Sequence, residues 1–387
     1  MRKRKIGIAL VAAIILLPLW MWLCWLLTPK KRMVVAIIDK TVLNREAQEH
    51  ISLDWVLRHE KYTGYKGRYY RPDHDYFGFF PGVDDRFSLK GLERFPPEKL
   101  QQLSEDADMV YFTDTYGIYS NEWYKKRQVA ERSGIVYGGM TSEDLELLAD
   151  MKARHKLMIA EFNTIGSPTA APVRTEFEKM FGMRWTGWTG RYFSDLDTAR
   201  NKELPQWLTT NFIRQHGGKW PFHHAGIAFV SNSDQVVILE EGSTLTDPLP
   251  LIESTGPGRA SLHIPTAIQY PFWFDIIAAS AQNEVAANFL IRANAQGRAE
   301  LDRYGIPARF PAVSMHRGSD YRFYYFSGDF CDNPIGIGTS SFNGIAWFSA
   351  LLYDSSDPAQ RQGFFWNFYR PMMTAILRDN FSSMPKR

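Results

Sequence analysis

Three short apolar runs most constrain what this 387-residue chain can fold into. MVVAIIDK reaches Asp39, MVYFTDTYG reaches Asp114, and LMIAEFN carries Glu161. Rich in aliphatic residues and without polar alternation, they have the composition of strands covered on both faces. Helical patterns fall between and after them: NREAQEHISLDWVLRHEK (44–61), PPEKLQQLSEDA (96–107), NEWYKKRQVAERSG (121–134) and TSEDLELLADMKARHK (141–156), the last opening on a Thr141 cap supported by Asp144. Strands alternating with helices predict parallel crossover units. The expected fold class is α/β, an open, mostly parallel sheet with helices on both faces over residues 33–200. A β/α barrel is the competitor, disfavoured by a hairpin pattern at 226–240. Residues 201–387 read as a β-rich extension with closing helices, the last interrupted or kinked at Pro371, packed on the same core.

Residues 6–27 form a run without a charged side chain, between MRKRK and TPKKR. At about 1.5 Å per residue this is enough to cross a hydrocarbon layer of roughly 30 Å. Trp20, Trp22 and Trp25 suit an interface, and the residues after the apolar core are unlike a cleavage site. The expectation is a signal-anchor: residues 1–32 as a cytoplasmic tip and transmembrane helix, the lipid bilayer as partner, and a single-pass protein with its bulk extracytoplasmic. Seven of the 45 Lys plus Arg flank that run, which leaves 38 facing 42 Asp plus Glu in the rest. A near-neutral, slightly acidic body argues against a nucleic-acid partner. Cys331 is the sole cysteine after residue 32, so that part forms no disulfide with itself.

In an open parallel sheet, ligand chemistry collects outside the carboxyl ends of the strands. Asp39, Asp114 and Glu161 would then surround one crevice. Glu161, with Phe162 and Asn163 beside it, is the candidate general acid, and Asp39 or Asp114 the base or nucleophile. The blander alternative is that each acid is the first polar residue after a buried strand and caps a loop or helix. GWTGRYF sits in a stretch, MRWTGWTGRYFSDLD, that reads as a Trp- and Gly-rich loop. There Trp188 and Tyr192 offer aromatic faces and Arg191 a donor, a combination that suits a sugar ring or, equally, packs the loop on the core. MHRGSDYRFYYFSGDFCDNP gathers His316, Arg317, Asp320, Asp329 and Asp332, of which Arg317 and Asp329 are ligand-binding candidates. Its spacing does not converge on a metal site. No GxGxxG follows the first strand, and GxxxxGK, GxSxG and HExxH are missing, so no cofactor is expected.

ADMVYFTDTYG and GIVYGGMTSEDLELLADMKARHKLMIAEFN carry a resemblance to class I glutamine-amidotransferase-like domains of flavodoxin type. The resemblance implies a nucleophile elbow after a central strand. Here the corresponding IVYGGMTSED has Met140 and Thr141 but no cysteine, which implies loss of amidotransfer. Together these readings predict a membrane-anchored, non-catalytic binding or assembly component for an envelope polysaccharide or a membrane protein complex. The alternative is a glycan hydrolase using paired carboxylates at strand ends.

Overall fold

The computed structural model describes residues 2–124, 133–357 and 359–385, with the side chains of residues 2–12, 14 and 15 outside that description. The chain opens with α1 (Arg2–Leu27). Among the described residues no helix is long and apolar enough to cross a membrane. The structure therefore provides no spanning helix for the expected anchor, the lipid-bilayer partner or the extracytoplasmic placement. The non-catalytic envelope-component reading rested on that anchor and falls with it. The last turn of α1 shows what hydropathy leaves out. Trp25, assigned by sequence to an interface, is 6% exposed. Its Nε1 donates to the Arg58 carbonyl (3.3 Å), the Lys61 ammonium lies 3.8 Å over its ring, and Tyr69 packs 5.6 Å from it. Lys30 and Lys31, read as a basic flank, lie over the Tyr69 and Tyr62 rings.

β1 (Val35–Asp39) leads into α2 (Gln48–His59), the hairpin of β2 (Phe77–Pro81) and β3 (Phe87–Leu89), then α3 (Pro97–Asp106), β4 (Met109–Asp114), α4 (Ser142–Ala153) and β5 (Leu157–Glu161). Every residue of β1, β4 and β5 is buried. Period-two alternation explains why: Val35, Ile37, Tyr111 and Ile159 enter one core with Leu53 and Trp55 of α2. Ala36, Ile38, Phe112 and Ala160 enter a second core with Leu147 and Leu148 of α4. α4 begins in a capping box in which the Asp144 amide donates to Thr141 Oγ1 and the Thr141 amide to Asp144 Oδ2. That same oxygen takes the buried Lys40 ammonium at 2.6 Å, which ties the end of β1 to the start of α4. Of the helix expected over 121–134, Ser120–Trp123 forms a turn and residues 125–132 lie outside the described residues.

Beyond β5 come α5 (Ala171–Phe181), β6 (Met183–Phe193), β7 (Gly226–Ser231), β8 (Val236–Glu240), β9 (Leu251–Ser254), β10 (Ala267–Gln269), β11 (Trp273–Ala279), β12 (Glu284–Leu290), β13 (Arg309–Arg317), β14 (Arg322–Phe326) and α6 (Arg370–Ser383). Among the described residues the main sheet has ten strands in the order β10-β9-β12-β13-β14-β5-β4-β1-β2-β3. Pairing is parallel from β14 across to β2 and antiparallel elsewhere. The expectation of a mostly parallel sheet is thus corrected to a mixed one with flanking helices. The cause is β14, which leaves an antiparallel hairpin with β13 and pairs parallel with β5, fusing two halves of the chain into one sheet. A second sheet, β8-β7-β6-β11, is antiparallel. The expected Trp- and Gly-rich loop is in fact the eleven-residue β6, whose bulge between Trp185 and Thr189 accommodates Gly187 at φ +88°.

The amidotransferase-like expectation is corrected as well. The strand preceding IVYGGMTSED's helix, Ile135–Tyr137, pairs with Ile118–Tyr119 in a separate two-stranded sheet rather than in the centre of the main one. Met140 is buried, and Thr141 is spent on the cap. Ahead of α6, Phe365–Tyr369 forms a π-helical turn just before Pro371, which aims Tyr369 at the carboxyl edge of the sheet.

Candidate active site

Four adjacent parallel strands, β1, β4, β5 and β14, end at one edge, and an acid stands at or just past each end. Asp39 is opposite Asp114 in the β1–β4 register. Asp39 is fully enclosed; its Oδ1 accepts the Thr41 amide (3.0 Å) and its Oδ2 faces His50 Nδ1 at 2.6 Å. The other ring nitrogen of His50 lies 2.9 Å from the Pro72 carbonyl, so both nitrogens face acceptors and the ring is an imidazolium. Burial alone pushes His50 down, but the hydrogen bond and charge of Asp39, with Asp54 and the Pro72 carbonyl, carry it up to about 9. Asp54, with neither oxygen hydrogen-bonded, is pushed by burial up to about 7 against the charge of His50. Gly78 of β2 lets that strand close over this corner: at φ +151°, a Cβ there would lie 1.6 Å from the Asp39 carbonyl oxygen.

Asp114 accepts the Tyr116 amide at 2.6 Å. Burial, and then the charge of Asp39, push its carboxyl well above the usual range, opposed by the Tyr116 N–H and the Thr41 hydroxyl. Glu161 has no exposed surface, and both of its oxygens are engaged, by the Tyr111 hydroxyl (2.7 Å) and the Cys331 amide (3.2 Å). Burial pushes it up too. The Tyr369 hydroxyl lies 3.1 Å from Cys331 Sγ and 3.5 Å from the Tyr111 hydroxyl, completing an enclosed network under the edge.

The loop after β14 carries two further acids, Asp329, buried at 7% exposure, and the half-buried Asp332. Asp332 receives Gln48 Nε2 at 2.6 Å and pairs with Arg361 at 2.9 Å, with side-chain exposures of 14% and 18% in that ion pair. Asp329 is pushed well up by burial and then by the charges of Asp332, Asp114 and Glu161, against Arg361. Half-buried Phe272 lies beneath the guanidinium groups of Arg361 (3.9 Å) and Arg191 (5.1 Å), and Arg191 also stands over Trp273 (5.4 Å). Beside Gln48 and Asn333 opens a cleft of about 480 Å³, bounded by Ile51, Pro72 and Ile335.

The structure thus gathers Asp39, Asp114, Glu161, Asp329 and Arg191 at one edge. Arg317 pairs with Glu284 at the opposite end of β13, far along the sheet from that edge. Trp188 and Tyr192 are each 9% exposed and serve as packing residues of β6, Trp188 edge-on to Tyr304. Sequence reasoning missed His50, Gln48, Arg361 and Phe272 as site residues. Asp329 and Asp332, by contrast, lie in the acid-rich segment that the sequence singles out, on the loop after β14. Among the described residues no group of three or more His, Cys, Asp or Glu is placed to hold a metal ion.

No family model matches the chain, and no curated protein matches it. Among solved structures, a thua-like protein from Bacteroides uniformis ATCC 8492 aligns at 11% identity over 89% of this chain and 93% of its own, with a TM-score of 0.35. A beta-galactosidase from Bacillus circulans sp. alkalophilus aligns at 10% identity, 78% and 30% coverage and TM-score 0.33. Agd3, a carbohydrate deacetylase, aligns at 8%, 88% and 33% coverage and 0.33. The chain spans about a third of the length of the latter two. At such scores the likenesses carry nothing about what this chain does.

Proposed function

We propose that the chain is an enzyme that cleaves a glycosidic bond by general acid–base catalysis, with Asp329 as proton donor and Asp332, ion-paired with Arg361, as its partner. The observation that carries this reading is a difference of environment between two acids three residues apart. Burial and acidic neighbours push the Asp329 carboxyl well above the usual range, whereas Asp332 is ion-paired with Arg361 at 2.9 Å. Two carboxyl groups in unlike environments are what glycoside hydrolysis uses: one protonates the leaving oxygen while the other activates water or attacks the anomeric carbon. The half-buried rings of Phe272 and Trp273 beside them supply faces for a sugar ring. Glu161 and Asp39, the enclosed acids, are positioning residues in this scheme. Glu161 accepts the Cys331 amide and so fixes the loop between the two working acids.

The test is to incubate the full chain with a panel of oligosaccharides and record new reducing ends as a function of pH. Cleavage is expected on at least one member. The rate should be sustained above the ordinary carboxylate range, near 4, and fall as pH rises through the raised pKa of Asp329, because the donor must hold its proton. Retention of glycans without any release of reducing ends overturns the reading.

A further inference from the structure

We infer that the edge site takes a carboxylate-bearing sugar, with Arg191 as the residue that reads the acid group. The inference rests on the glycan reading above and narrows it to a substrate class. Two guanidinium groups, Arg191 and Arg361, share the ring of Phe272, and each is mostly buried, at 15% and 18% side-chain exposure. Enclosing like charges beside one aromatic ring is costly, and a neutral sugar stacking on that ring needs neither.

Their present partners differ. Arg361 is committed to Asp332 inside the site. Arg191 is paired at 2.7 Å with Glu203, whose side chain is 77% exposed. A pair with so exposed a member is held weakly and exchanges at little cost. Arg191 Nε is buried without a hydrogen-bond partner, so the fork has an unused donor next to the one Glu203 occupies. A ligand carboxylate replacing Glu203 would meet both donors, the planar two-point geometry for which arginine is suited. The neighbouring acids do not forbid an anion, because burial favours the neutral forms of Asp114, Glu161 and Asp329.

The experiment is calorimetric titration of the full chain carrying Asp329→Asn with a hexuronate disaccharide and with its neutral hexose counterpart, at two salt concentrations. The uronide is expected to bind about tenfold tighter or more, with the margin shrinking at high salt. Arg191→Leu should erase the margin between the two sugars. Glu203→Gln, a change on an exposed side chain, should widen the margin by removing the competing carboxylate. Equal binding of the two sugars, or a preference that survives Arg191→Leu in protein with an unchanged thermal melt, overturns the inference and leaves the carbohydrate reading standing. Binding of neither sugar overturns both.

Discussion

Replacing His50 with alanine is expected to lower the unfolding free energy by about 3–5 kcal/mol, the range for breaking a buried ion pair by removing one partner. Asp39 would stay enclosed with one oxygen still accepting the Thr41 amide and the other facing a void. The wild-type protein should also show a specific pH dependence. His50 is raised from 6.5 to about 9 in the folded state, so its contribution is fully present below about pH 6.5 and is lost as pH rises through 9. That interval corresponds to stability on the order of 3 kcal/mol. Urea unfolding at pH 6 and at pH 9.5 measures it: the wild-type midpoint should drop between the two, and that of the alanine variant should drop much less. Equal losses in both proteins would assign the pH dependence to other groups. Pairing the variant with Asp39→Asn in a double-mutant cycle isolates the interaction itself.

Asp329→Asn is expected to reduce turnover by about 10²–10⁴-fold, the usual worth of a positioned proton donor. The amide fills nearly the same space and carries no transferable proton. Because burial and the charges of Asp332, Asp114 and Glu161 already favour the neutral form of Asp329, a neutral amide of the same size costs little there, and the variant should be about as stable as the wild type. The signature is therefore loss of rate with an unchanged melting temperature, together with loss of the high-pH limb in whatever activity remains. Glu161→Gln should behave differently: the amide can put its NH2 group towards the Cys331 N–H or the Tyr111 hydroxyl, disturbing the loop and lowering stability together with rate. Single-turnover rates and thermal melts of the two variants, measured side by side, separate the working acid from the positioning one. An Asp329→Asn enzyme that turns over at the wild-type rate rules out the assignment.

What could be read from the sequence was local. β1, β4 and β5 are aliphatic runs because both of their faces are covered, and the polar residue ending each run marks the sheet edge; the edge and three of its acids were therefore visible. His50 was not, because its role depends on how α2 lies over β1, which no spacing between Asp39 and His50 dictates. Arg361 reaches Asp332 from a separate segment, and Phe272 is one aromatic among many until Arg191 and Arg361 are placed on it. β6 was misread because glycine was taken as a sign of a loop, whereas Gly190 leaves the space that the Phe274 ring fills; a Cβ there would lie 2.4 Å from that ring. The charge-free opening run was read by hydropathy, which weighs side chains without their partners, and the partners of Trp25 lie at Arg58, Lys61 and Tyr69.

The position of β14 between β5 and β13 also bears on how the protein comes into being during synthesis. As the chain leaves the ribosome, β1, β4 and β5 can assemble early, but β5 then presents a bare edge until residues 322–326 emerge to pair with it. Through that interval Glu161 lacks the amide that satisfies one of its oxygens, since Cys331 lies 170 residues downstream. Arg361 and Tyr369 emerge later still. The nascent protein thus carries an open strand edge, its terminal acid bonded to water instead of Cys331, until residues 322–326 emerge, and this is the stage at which a chaperone holding the open edge, or a pause in translation before residue 322, would matter most to its yield.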